Sequence, residues 1–459
     1  MVEPEIAESP SPDLCGTGTQ THGAQPVGFS SSPDLRGTAF QPGTVPMGAD
    51  AVTSMAPVRV LHVVPALSLG GMERAMLRLI RHSNDQDDGA NTCRRLVHAV
   101  CALRAEDDDM LAECRSAART WVLDERDPGS RWRRYLAWRR LRKVIWSFRP
   151  DIVHARSTGT WFDAAAATFI GRRASLLLSF HGRTDLSRPG WRRRALNRWA
   201  TRRADAVLAL CGDAARMMQV EWHVPAAKIH VLPNGVDTRR FRPAAGINEI
   251  LQARRRLDLH PEDHVVICVA NLVPIKGLDV LLRAWRQVSM ADRRARLLIA
   301  GEGPLRHQLE QLTLGLRCGT VVRFLGRVSD VEKVLRAADV FVLPSRSESS
   351  SNATLEAMAS GLPVVACDVD GMRELVAPNY TGWLVPADAP ERLAETLLAV
   401  LLDQPARQRV GQAAREAVIR QHRIDTWVAQ YVALYRALSG EWRGERTPAR
   451  RTEVAPCAG

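Results

Sequence analysis

Residues 342–366, VLPSRSESSSNATLEAMASGLPVVA, decide how this chain folds. An apolar run at 340–343 gives way to a polar loop over 344–351. An alanine-rich helix is predicted from about 352 to 360, and a second apolar strand follows Gly361-Leu362-Pro363. Strand, loop, helix, strand is the repeat of a parallel sheet with crossover helices. Ser349, Ser350, Ser351 and Asn352 lie where the first helical turn leaves backbone N–H groups unpaired and positive, which suits a phosphate. Glu356, one turn in, is placed to accept both hydroxyls of a ribose. Glu348, on the loop, faces whatever the phosphate carries. A capped helix with two surface glutamates would give the same spacing, so the wider sequence has to discriminate.

Glu348, seven residues, Glu356, then Ala-Met-Ala-Ser-Gly-Leu-Pro-Val-Val-Ala strongly resembles the signature of glycosyltransferase family 4, and the resemblance runs in order over about residues 58–437. It implies an α/β protein of the GT-B type: two Rossmann-like, doubly wound parallel-sheet domains facing a cleft. Gly371-Met372-Arg373-Glu374-Leu375-Val376 and Thr381-Gly382-Trp383-Leu384-Val385 also match family wording.

The 459 residues, 46% of them apolar, suffice for two such cores. A net charge of +13 calls for an anionic partner. The nine cysteines are scattered and never form a Cys-x-x-Cys pair, which argues against a disulfide framework or zinc site and for a reducing compartment. No apolar run reaches the roughly 18 residues of a membrane span, and no basic region leads into an apolar core at the start, so a cytoplasmic location is expected.

Residues 1–56, rich in Pro, Gly, Ser and Thr, are expected to be a disordered N-terminal segment. The N-terminal domain, 57–237, opens with the strand 58–64, then Gly70-Gly71 and a helix, the first crossover of a doubly wound sheet. Gly70 and Gly71 let backbone approach a ligand, and Gly-Gly-Met-Glu-Arg looks like the family's N-domain loop, which implies contact with the donor diphosphate or the acceptor. His181-Gly182 follows the strand 176–180 at its carboxyl edge. The resemblance implies that His181 reaches the donor sugar; His154, also at a strand end, is a weaker candidate. Two basic blocks carry interleaved tryptophans: Arg131–Lys143 with Trp132, Trp138 and Trp146, and Arg183–Arg203 with Trp191 and Trp199. A charge run is often a solvated face, yet Arg with Trp suits the interface of an anionic bilayer. Nucleic acid is not expected, because no reader motif accompanies the charge.

Pro233-Asn234-Gly235-Val236-Asp237 closely resembles the family's interdomain crossing, and 238–262 reads as a linker. The C-terminal domain, 263–389, starts with the strand 265–269, and Lys276 then falls between a strand end and a helix start, where a phosphate-binding cation is useful. The family pairs this lysine with an arginine a few residues earlier, to hold the donor diphosphate. Here Asn271 occupies that position, so half of the clamp is missing. Asn271 donates hydrogen bonds instead, another arginine such as Arg346 substitutes from space, or donor affinity is reduced. Gly301-Glu302-Gly303 lacks the third glycine of a dinucleotide fingerprint; it looks like the family turn near the nucleobase, and in relatives the loop carrying Arg327 touches the base. Helices are expected over 390–438, the last crossing back to the N-domain, with a disordered tail from Ser439.

The expected function is transfer of a sugar, with retention, from a nucleotide diphosphate sugar to an acceptor hydroxyl on a lipid-linked glycan, polysaccharide or glycolipid. No cofactor or metal is expected, and peripheral contact with the inner face of the cytoplasmic membrane is. The catalytic candidates are His181 and Glu348. The donor-binding candidates are Gly70, Gly71, Asn271, Lys276, Arg327, Ser350, Ser351, Asn352 and Glu356. A non-catalytic nucleotide-sugar-binding or accessory protein is the alternative that the missing arginine favours.

Overall fold

The computed structural model describes residues 57–68, 70–85, 96–124, 137–169, 174–182 and 190–444. The expectations for 1–56, for the tail beyond 444, and for Arg131 to Arg134 with Trp132 and for Arg183 and Arg188 lie outside those residues. The N-lobe strands are β1 Val58–Val64, β2 Leu96–Arg104, β3 Arg119–Asp124, β4 Ile152–Arg156, β5 Ser175–Phe180, β6 Ala206–Ala209 and β7 Ile229–Val231. The C-lobe strands are β8 His264–Val269, β9 Ala295–Ala300, β10 Val322–Gly326, β11 Val340–Leu343, β12 Val364–Cys367 and β13 Gly382–Val385. The helices are α1 Gly71–Asp85, α2 Asp108–Ala117, α3 Ala137–Phe148, α4 Thr158–Phe169, α5 Trp191–Arg203, α6 Gly212–Trp222 and α7 Ile247–Arg256. After these come α8 Leu278–Ala291, α9 Arg306–Gly315, α10 Val331–Leu335, α11 Asn352–Ala359, α12 Met372–Leu375, α13 Pro390–Leu402, α14 Gln404–Gln421 and α15 Ile424–Gly444.

All pairings between these strands are parallel, in the orders β3-β2-β1-β4-β5-β6-β7 and β10-β9-β8-β11-β12-β13. Both sheets therefore reverse direction beside their first strand, between β1 and β4 and between β8 and β11. Such a switch point opens a crevice at the carboxyl ends of the strands, where α/β sheets bind ligands. The strands read as continuous apolar runs because helices cover both faces: β4, β5, β6, β11 and β12 are buried at every residue.

Helix α15 presents Ile424, Trp427, Val428, Tyr431, Leu434, Tyr435 and Leu438 at helical spacing to the N-lobe sheet, where they join Val60, Ile152 and Leu177 in one buried cluster. A large apolar side chain so buried contributes roughly 1.5–3 kcal/mol, which fixes the end of the C-terminal segment to the N-lobe. Two regions differ from the sequence reading. The linker 238–262 contains α7, whose Arg254 is buried and donates to Asp339 Oδ2 at 2.8 Å and to Ala337 O at 3.2 Å, so the segment is packed onto the C-lobe. The last helix continues past Leu438 to Gly444, because Ser439 is also buried and closes its hydroxyl onto Arg436 O at 3.0 Å.

Candidate active site

The two switch points face each other across a cleft of about 1120 Å³, lined by all eleven site residues proposed from the sequence. On the C-lobe side, the loop after β8 forms a short turn, Pro274–Lys276, that aims Lys276 at the loop after β11. Gly277 follows at φ +63, and a Cβ there would stand 2.1 Å from Pro344 O, so only glycine lets the two loops meet. Lys276 Nζ pairs with Glu348 Oε1, which also accepts from Ser345 Oγ at 3.0 Å. The cation and the carboxylate expected to hold opposite parts of a donor are thus paired with each other.

Arg346 does not fill the place of the missing clamp arginine. It forms a two-pronged pair with Asp279 at 3.0 and 2.8 Å, bonds Asp388 at 2.7 Å and donates to Pro274 O at 2.6 Å. Its work is to hold the Lys276 turn from outside the cleft. Asn271 is exposed at the cleft wall, where its side chain is too short to reach as an arginine would.

Helix α11 starts where the sequence places it. Ser351 caps it by accepting from Thr354 N at 3.2 Å, the usual N-cap bond. The neighbouring polar groups are engaged with the N-lobe: Asn234 N donates to Ser350 Oγ at 3.3 Å, and Asn352 Nδ2 donates to Gly71 O at 2.9 Å. Glu356 accepts from Arg78 Nη1 at 3.2 Å. Burial pushes the Glu356 carboxyl up against the pull of Arg78, and pushes the Arg78 guanidinium down against that of Glu356, so both record desolvation of the pair. Arg74, one turn before Arg78 on α1, is exposed on the cleft wall between these two contacts with α11. Arg78 was not singled out in the sequence, and Arg74 appeared there only as the end of Gly-Gly-Met-Glu-Arg; their shared face with Gly71 at spacings of three and four is the signal that could have found them.

On the N-lobe side, His181 directly follows β5 and its Nε2 lies 2.9 Å from Ser179 Oγ. Burial, with the charge of Arg156 second, pushes His181 down to about 3, so the ring is neutral at physiological pH. Gly182 takes φ +98, and a Cβ there would lie 3.1 Å from Ser349 Oγ, which brings the His181 turn against the Glu348 loop. His154 does not reach the cleft: it is fully buried between Tyr435 and Ser179. Glu73, the glutamate of Gly-Gly-Met-Glu-Arg that was not named as a site residue, is buried in the first turn of α1 beside Gly70, bonded by Ser68 Oγ at 3.3 Å, and burial raises it to about 7. Arg327 turns its side chain to Asp107 and Asp109 of the N-lobe, each at 3.3 Å. Glu374 of the C-lobe accepts from Gly212 N at 2.7 Å at the start of α6.

The basic helices present a mixed face. Trp146 and Trp191 are exposed, as is Phe169 at the end of the neighbouring α4, whereas Trp138 and Trp199 lean on the N-lobe core under Arg139 and Arg203, whose guanidinium carbons lie 5.3 and 3.9 Å from the ring centres. No described helix is long and apolar enough to cross a membrane.

Two parallel-sheet lobes, a shared crevice and a Lys–Glu pair beneath a helix start are the anatomy of a GT-B glycosyltransferase. Residues 69–240 match the model of Glycosyltransferase Family 4, and residues 247–417 match that of glycosyl transferases group 1. The chain is 33% identical over 289 residues to a GDP-mannose-dependent alpha-(1-6)-phosphatidylinositol monomannoside mannosyltransferase of Mycobacterium tuberculosis, an overlap of 59% of this chain and 73% of the relative. It is 38% identical over 193 residues, 40% of this chain and 42% of the relative, to a D-inositol 3-phosphate glycosyltransferase of Segniliparus rotundus. The solved structure of Anabaena HepE in complex with UDP and glucose superimposes with a TM-score of 0.71 at 19% identity, over 83% of this chain and all of that one. The chain belongs to glycosyltransferase family 4 and is a nucleotide-sugar glycosyltransferase.

Proposed function

We propose that this enzyme transfers a sugar, with retention of anomeric configuration, from a nucleotide diphosphate sugar to a hydroxyl of a lipid-linked glycan, polysaccharide or glycolipid. The observation that carries the reading is the convergence of Lys276, Glu348 and the start of α11 at one switch point with Gly70-Gly71 at the other and His181 after the neighbouring β5, around a single cleft. The donor takes Glu356 from Arg78 with its ribose hydroxyls. Lys276 and the first turn of α11 stabilise the diphosphate as its charge grows on leaving, a kind of electrostatic help that often dominates catalysis. Glu348, released by Lys276, and His181 position the transferred sugar. Arg74, an exposed cation beside the α11 contacts, supplies from the N-lobe the positive charge that Asn271 does not. That favours an active transferase over the non-catalytic alternative. These groups supply the charge for departure without a bound metal.

A lipid acceptor is supported by the phosphatidylinositol monomannoside acceptor in the name of the mycobacterial relative and by the exposed Trp146, Phe169 and Trp191 among arginines, a composition that suits the cytoplasmic face of an anionic bilayer. The test is a thermal-shift screen of UDP-, GDP- and other nucleotide sugars, followed by transfer from the best stabiliser to lipid extracts. Stabilisation by one donor and a new glycolipid are expected; binding of a donor with neither transfer nor hydrolysis would select the accessory reading.

A further inference from the structure

Behind the cleft, Arg156 is fully buried, and its Nη1 and Nη2 have no hydrogen-bond partner among the described residues. Two lines of hydrogen bonds start beside it. In the first, Arg156 Nε donates to His62 Nδ1 at 3.4 Å, His62 Nε2 lies 2.9 Å from His98 Nδ1, and His98 Nε2 lies 2.8 Å from Ser83 Oγ, which bonds Ile80 O at 3.0 Å. Arginine only donates and a carbonyl only accepts, so every proton in this line is assigned: His62 and His98 both carry theirs on Nε2.

The second line leads to the cleft. Tyr435 OH lies 2.8 Å from His154 Nδ1, His154 Nε2 lies 2.9 Å from Ser179 Oγ, and Ser179 Oγ lies 2.9 Å from His181 Nε2. Each link holds one proton, so reversing one link reverses all. Tyr435 sets the sense. It is fully buried, and among the described residues His154 Nδ1 is the one acceptor within hydrogen-bond reach of its hydroxyl, so the O–H points to His154; the reverse sense would bury that proton without an acceptor. His154 then carries its proton on Nε2 and gives it to Ser179, and Ser179 gives its own to His181 Nε2. The remaining proton of His181 sits on Nδ1. Burial and Arg156 keep all four rings neutral.

Resting on the glycosyl-transfer reading of the cleft, we propose that Tyr435, His154 and Ser179 are positioning residues that hold His181 as the Nδ1–H tautomer, so that it offers the transferred sugar a hydrogen-bond donor. Because Tyr435 lies on α15, the helix that crosses back from the C-lobe sets the chemistry of a cleft residue it does not touch. The test is ring-nitrogen NMR on the full chain with ¹⁵N-histidine, the His181 signals being identified by their loss in His181→Ala. The wild type is expected to show His181 protonated on Nδ1 only. Tyr435→Phe keeps the ring that fills the core; it should show both His181 tautomers and lower kcat roughly tenfold, the weight of one hydrogen bond, with donor KM within about twofold. If that variant fails to fold, Ser179→Ala cuts the line one step from His181 and should do the same. A wild-type His181 protonated on Nε2, or a folded variant with unchanged tautomer or unchanged kcat, overturns the proposal. The spectrum needs no substrate, so failure of the positioning line appears in the ring signals, and failure of the transfer reading appears as a wild type that transfers from no nucleotide sugar.

Discussion

The two sheets share one strand order and one kind of crevice, yet they furnish it with opposite chemistry. The C-lobe brings acid–base pairs to the opening: Lys276 with Glu348, and Glu356 reached by Arg78. Behind the N-lobe opening lie neutral or nearly neutral groups, namely His62, His98, His154 and His181 with Glu73 close by, around the buried charge of Arg156. In a cleft that must separate a diphosphate from a sugar, the charged wall suits the part that gains charge, and the neutral wall suits the part that is recognised by hydrogen bonds.

This contrast is open to attack from both sides. Changes on the charged wall should touch reaction and binding while leaving stability alone. Lys276→Ala should lower kcat about 10²–10³-fold, the range for removing one stabiliser of developing charge, with the melting temperature kept; steady-state kinetics checks this, and full activity removes Lys276 from the site. The neutral wall should instead respond to pH through stability. Glu73 titrates near its ordinary 4.5 when unfolded and at about 7 when folded. The stability this supplies is complete below the unfolded value and lost as pH rises through the folded one, up to roughly 3 kcal/mol. Denaturant unfolding between about pH 5 and pH 8 should therefore show wild type weakening relative to Glu73→Gln; parallel curves would place Glu73 in an ordinary solvated setting.

Smaller effects sharpen the division. Glu356→Ala should weaken donor binding by about 1.5–3 kcal/mol, the worth of hydrogen bonds to a charged group, as titration calorimetry would read. Arg74→Ala should weaken it roughly tenfold, about 1.4 kcal/mol, and Asn271→Arg in the same chain should restore it. If Asn271→Arg gives no rescue, the N-lobe arginine does not share the task of the missing clamp.

The charged wall was more legible in the sequence than the neutral wall, of which His181 and His154 were named but not their partners, and the reason is physical. Residues 342–366 carry strand, loop, cap and helix within one stretch, so local pattern put Glu348 on the loop and Ser351 and Glu356 at the helix start, and the wider resemblance supplied their roles. His62 and His154, by contrast, are far apart in the chain and become partners only through the register of β1 with β4, while Tyr435 arrives from the last helix. Arg78 meets Glu356 across 278 residues, and periodicity does not encode a contact over a cleft. The linker helix α7 was missed because its face of arginines reads as solvated, although Arg254 is satisfied inside by carbonyls and Asp339.

The central claim is that the C-lobe switch point grips a nucleotide diphosphate sugar. Calorimetric titration of UDP- and GDP-sugars into wild type, Lys276→Ala and Glu356→Ala tests it most directly. At least one donor should bind the wild type and bind both variants roughly tenfold or more weakly at unchanged melting temperature; no binding by any donor, or equal affinity in all three proteins, would contradict it.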